Sequence, residues 1–208
     1  MNFDFYQMGL RIPALLIAIT VHEYAHARVA YAYGDPTARL QGRLSLNPFK
    51  HLDPIGTLML LVAGIGWARP VPINPYRFRS RRGGLLAVSL AGPLSNFITA
   101  FATLLVWVLL ARAGLPRWAY GMLEMTAVIN IVLGVFNLIP IPPLDGSKVL
   151  TAVAPASVLA VYRQVETYAP ILLFFLIITG AIGEVIWPVT RAIFNFMFRM
   201  IILIPGIT

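Results

Sequence analysis

Two histidines four residues apart with a glutamate between them, His22-Glu23-Tyr24-Ala25-His26, are the side chains of this chain best suited to chemistry. On an α-helix, His22 and His26 stand one turn apart on a single face and can offer two imidazole nitrogens to one Zn²⁺. Glu23 is offset toward a water held by that metal, which makes hydrolysis by activated water the chemistry to test. Asp145 is the candidate third ligand. It follows Pro140, Pro142 and Pro143, which break a helix, and a carboxylate in so apolar a chain is costly without a partner. Two neutral imidazoles and one carboxylate leave a fourth tetrahedral position open, as a catalytic rather than a structural zinc requires, with one Zn²⁺ per chain. The chain has no cysteine, so thiolate ligands and disulfides are excluded. All three histidines lie between positions 22 and 51, which leaves His51 as the alternative metal ligand, a gate near the metal or a loop cap.

The elements that must carry these residues are membrane helices. The motif sits in an apolar stretch from Ile12 to Tyr33, and the whole chain is 59% hydrophobic and 12% charged with a mean hydropathy of +0.79, far from soluble-domain averages. Hydropathy predicts five transmembrane helices at about 8–33, 85–111, 118–139, 168–187 and 189–205, each near the ~20 residues that a bilayer demands. The fold class expected is an all-α polytopic membrane protein, a single membrane-embedded domain over 1–208. The first apolar run lacks a basic leading region and a cleavage site, and is expected to stay as a span. Thr57 to Trp67 is apolar but only long enough for roughly 16 Å of helix, so it is expected to be re-entrant. Such backbone is tolerated where protein buries it or water reaches it, which places a polar cavity nearby. The proline-rich stretch from Arg69 to Pro75 suits a small edge strand or an extended arm.

A net charge of +8 would suggest nucleic acid in a soluble chain. Here the basic residues cluster at Arg39, Arg43 and Lys50 and again from Arg69 to Arg82, on both sides of the short apolar segment. They match a cytoplasmic loop over 34–83 under the positive-inside rule, with no aromatic-interleaved basic motif, so nucleic acid is not an expected partner. Running the topology forward brings the end of the first helix and the end of the third to the cytoplasmic face, where His22, His26 and Asp145 can meet. Trp107, Trp118 and Trp187 near span ends read as interfacial anchors, and Arg28 as a snorkelling side chain.

Three motifs carry a resemblance to a known family: His22-Glu23-x-x-His26, Ala91-Gly92-Pro93-Leu94-Ser95-Asn96, and Asn137 through Pro140 to Asp145-Gly146. The chain resembles the site-2 protease family of intramembrane zinc metalloproteases, in its compact prokaryotic core-only form. The similarity runs over about 8–150 and extends to the stretch from Asn47 to Thr57. It implies that His22, His26 and Asp145 bind zinc and that Glu23 is the catalytic base. It also implies regulated proteolysis of transmembrane protein substrates from a prokaryotic cytoplasmic membrane, with the site toward the cytoplasm. The third motif is a longer, proline-rich version of the family pattern, which blurs which asparagine meets substrate. Asn96 and Asn137 are candidate substrate contacts, although small and amide residues also knit transmembrane helices together. The C-terminal helices, about 168–205, are a candidate gate. Two other functions fit parts of the pattern: a zinc-binding membrane transporter, which leaves Glu23 idle and wants an internal repeat, and a non-catalytic relative that holds membrane proteins.

Overall fold

The computed structural model describes residues 5–63 and 66–205. The helices are α1 (Phe5–Ala32), α2 (Thr37–Leu40), α3 (Pro54–Ala63), α4 (Arg81–Leu109), α5 (Arg117–Asn137), α6 (Asp145–Val153), α7 (Ala156–Glu166), α8 (Ala169–Ile178) and α9 (Ala181–Ile202). Helices α1, α4 and α5 pack against one another, α6 lies on α4, and α9 lies against α5 and α4. Small side chains permit that close approach: Ala14, Ala18, Ala27 and Ala30 of α1 are fully buried, as are Ala100 of α4 and Ala127 of α5. Apolar burial drives little association inside lipid, so close backbone packing and interhelical hydrogen bonds must hold such a unit together.

The all-α class holds, and among the described residues there is no strand. In place of the expected edge strands stands one antiparallel bridge, Leu52 with Ala68. Pro70, Pro72 and Pro75 have no N–H to offer a ladder. Two of the donors left between them are taken by carboxylates. Val71 donates to Glu23 Oε2 at 2.9 Å, and Asn74 to Asp35 Oδ2 at 2.7 Å. The segment is therefore an extended arm pinned to α1 and to the turn after it.

α3 has ten residues, about 15 Å of helix, too short to cross a ~30 Å hydrocarbon core. The Leu52–Ala68 bridge and a 2.9 Å bond from Arg69 N to His51 O tie the two ends of this excursion together, so the chain leaves and returns at one place. Gly64 and Ile65 of the expected Thr57–Trp67 segment lie outside the described residues.

Among the described residues, three helices are long and apolar enough to cross a membrane, α4, α5 and α9; a fourth span results if α7 and α8, bent by 70° at their junction, are taken together. α1 has the length, 28 residues, but His22, Glu23 and His26 lower its hydropathy below that of the other three. The C-terminal apolar region breaks at a different place from the one hydropathy suggests. Gly180 adopts a left-handed conformation, φ +77°, which glycine reaches without steric cost, and it ends α8. Pro188, the expected boundary, is inside α9. The expected helices 168–187 and 189–205 are thus a short α8 and a long α9.

Candidate metal centre

α1 carries His22 and His26 on the face that meets α4, and α6 opens with Asp145 directly opposite. The Nε2 atoms of His22 and His26 are 2.9 Å apart, and Asp145 Oδ2 lies 3.1 Å from the first and 2.9 Å from the second. All three residues are buried. The protonation of the two rings follows from what lies behind them. His26 Nδ1 is 2.7 Å from the carbonyl of Val88, which can only accept, so Nδ1 carries the proton. His22 Nδ1 is 2.7 Å from Asn96 Oδ1. Asn96 Nδ2 donates to Ala18 O at 3.0 Å and to Asn130 Oδ1 at 2.8 Å, so its oxygen faces His22 as an acceptor. Asn130 Nδ2 in turn donates to Thr126 O at 2.8 Å. The amide polarity is fixed along α5, α4 and α1, and His22 also carries its proton on Nδ1.

Neutral imidazoles protonated at Nδ1 leave bare lone pairs at Nε2. Two such lone pairs and a carboxylate oxygen therefore converge with no proton among them, an arrangement that repels itself unless a cation sits within it. The three donor atoms fit a metal ion. Their separations are slightly tighter than the about 3.3 Å edge of a zinc tetrahedron with ~2.0–2.1 Å bonds. Asp145 meets the two imidazoles through one oxygen, Oδ2. Lys148 Nζ is 3.0 Å from the other oxygen, Oδ1.

The close approach of α1 to α4 depends on Gly92. A Cβ there would come within 2.5 Å of His22 Cε1 and of His26 Nε2. The next residue, Pro93, has no N–H for the Ser89 carbonyl, which loosens the same turn that presents Val88 O to His26.

The donor atoms face a cavity of about 760 Å³. Its floor is polar: His22, Glu23, His26, Asp145 and Lys148. Its walls are apolar, with Leu15 and Ile19 from α1, Trp67 from just before the arm, Val71 from the arm, Phe136 from α5, and Ile177 and Ile182 from either side of Gly180. Asn137 lines it too, and donates Nδ2 to Leu133 O at 3.0 Å. Glu23 opens on the same space, with Oε2 tied to Val71 N.

Of the seven candidates from the sequence, the structure thus brings His22, His26 and Asp145 together with Glu23 and Asn137 around one cavity. Asn96 is elsewhere: fully buried behind His22, it has no surface to offer a substrate. His51 is also fully buried, and its Nε2 lies 2.7 Å from Ser45 O, within the loop and not on the cavity. Sequence reasoning did not single out Asn130 or Lys148. Lys148 had a legible signal, one helical turn after Asp145. Asn130 had none beyond an amide in an apolar helix.

Fold and site together define a class, an all-α membrane protein with a buried group of two histidines and one carboxylate that could hold a metal beside a glutamate. Residues 113–179, which include Asp145, match the model of peptidase family M50. The chain is 42% identical over 200 residues to a Bacillus subtilis protein named "Putative zinc metalloprotease YwhC", covering 92% of this chain and 91% of that one. It is 34% identical over 184 residues to "Putative zinc metalloprotease Rip2" of Mycobacterium tuberculosis, covering 77% of this chain and 67% of the relative. It is 27% identical over 139 residues to "Zinc metalloprotease MJ0392" of Methanocaldococcus jannaschii, 67% of this chain and 32% of the relative. No solved structure matches the chain significantly. The chain belongs to peptidase family M50, the site-2 protease family.

Proposed function

We propose that this protein is a zinc-dependent intramembrane endopeptidase that hydrolyses peptide bonds in or near transmembrane segments of other membrane proteins. The observation that carries the reading is the convergence of two unprotonated Nε2 atoms and one carboxylate oxygen beside Glu23, at the floor of a cavity with apolar walls. His22, His26 and Asp145 hold the zinc, and Glu23 is the base. When bound there, zinc supplies Lewis acidity toward a water and a substrate carbonyl. Glu23 accepts the proton of that water and returns it to the departing amine. The apolar walls suit an unwound membrane segment and keep bulk water from competing. That Asn137 lines the same cavity supports a role for it in satisfying a peptide group freed by unwinding.

The basic clusters from Arg39 to Lys50 and from Arg69 to Arg82 support a cytoplasmic position for the loop, and with it a site facing the cytoplasm of a prokaryotic cell. α1 would then be a further span beside α4, α5 and α9, and α3 a re-entrant helix. Ile177 and Ile182 flank Gly180 on one wall of the cavity, which supports the α8–α9 junction as the moving side for substrate entry.

The test is cleavage of a tethered transmembrane reporter in proteoliposomes. Wild-type protein is expected to cut it and to lose activity with chelator. Glu23→Gln should bind one zinc per chain yet lose about 10²- to 10⁴-fold in rate, the usual worth of a general base. A Glu23→Gln protein that still cleaves, or that moves zinc across the membrane as wild type does, would overturn the reading.

A further inference from the structure

The two oxygens of Asp145 have different partners. Oδ2 faces both histidines, whereas Oδ1 faces Lys148 Nζ at 3.0 Å, and among the described residues that ammonium is the one donor to Oδ1. The carboxylate is buried, 7% exposed, and Lys148 is 45% exposed and lines the same cavity. The pair is built by α6 itself: Asp145 is its first residue, and Lys148 follows one turn later on the same face. An ion pair between two exposed groups contributes little to stability. Here its consequence is geometric, because it decides which oxygen of a metal-ligating carboxylate is free.

A carboxylate beside a metal can present one oxygen or two. With two, Asp145 would occupy the position that hydrolysis needs for water. We infer that Lys148 is a positioning residue that keeps Asp145 a one-oxygen ligand by holding Oδ1 away from the metal. This rests on the ligand set assigned above and extends it to a residue outside that set. Outer partners of metal ligands act in this way, through orientation and not through contact with the reacting atoms.

Cobalt-substituted protein gives the readout, since visible absorption separates four-coordinate from five-coordinate Co²⁺, and X-ray absorption of the zinc protein counts the nearest oxygens and nitrogens. Wild type is expected to be four-coordinate. Lys148→Met and Lys148→Ala should each gain one oxygen ligand and lose about tenfold or more in kcat with KM changed less than about twofold. Lys148→Arg, which keeps a cationic donor, should restore both. A wild type that is four-coordinate, with both neutral variants unchanged in spectrum and kcat, overturns the inference alone. A wild type that takes up no stoichiometric metal overturns the ligand set and this inference together. Loss of KM without a spectral change would make Lys148 a substrate contact and would also overturn it.

Discussion

The two sides of the metal centre are held in contrasting ways. Behind the histidines, a chain of hydrogen bonds runs inside the helix packing: His22 on Asn96, Asn96 on Ala18 and Asn130, Asn130 on Thr126, and His26 on the Val88 carbonyl. In front, Leu15, Ile19 and Phe136 of the three-helix unit are joined by segments outside it: Lys148 on Asp145, Val71 on Glu23, and Ile177 and Ile182 across the cavity. The back sets where lone pairs point. The front sets what reaches them. The proposed function asks the first side to keep a metal and the second to admit a bulky chain, so the first must be rigid and the second adjustable.

The comparison can be broken hardest at Gly92. Gly92→Ala drives a Cβ into both imidazoles, and zinc affinity, measured by competition with a chelator, should fall by about 100-fold or more, beyond what loss of one outer partner brings. Asn96→Leu removes the acceptor of His22 Nδ1 and orphans the Asn130 oxygen. It should lower zinc affinity by about 10- to 100-fold and cost about 1–3 kcal/mol in stability, read by chelator competition and thermal unfolding in detergent. If Asn96→Leu leaves zinc affinity intact and alters only KM, the asparagine is a substrate contact after all. Asn130→Leu acts one bond farther away and is expected to cost less than about tenfold in zinc affinity. Ile177→Ala, on the front wall, should change zinc affinity by less than about twofold while shifting KM for a transmembrane reporter. An Ile177 effect on zinc as large as that of Asn96 would erase the distinction between the two sides.

The back of the site was half legible in the sequence. A His-Glu-x-x-His run states its own geometry because helical spacing is local, and a carboxylate after three prolines in an apolar chain announces that something must neutralise it. Asn96 was visible as a polar residue in a span, but its role depends on which helix faces it, and cross-helix register is not written in one helix. Gly92 beside Pro93 read as a packing feature, and its location against the two imidazoles needed the fold. The C-terminal break was misread because proline is the stronger helix breaker in water. Within an apolar helix Pro188 is accommodated by its surroundings, whereas Gly180 ends α8 through its positive φ. His51 was open between a metal ligand, a gate and a loop cap, and its 2.7 Å contact with the Ser45 carbonyl fits the last of these.

The bond from Val71 N to Glu23 Oε2 joins the glutamate to the extended arm. The carboxylate beside the candidate metal ligands is thus moored to a stretch of backbone lying against α1. Any outward displacement of the arm will slacken that mooring and free the carboxylate to move. The positions of the arm and of Glu23 are then a single mechanical variable, and one that side-chain truncation at Val71 will not reveal, because the tether is its peptide N–H.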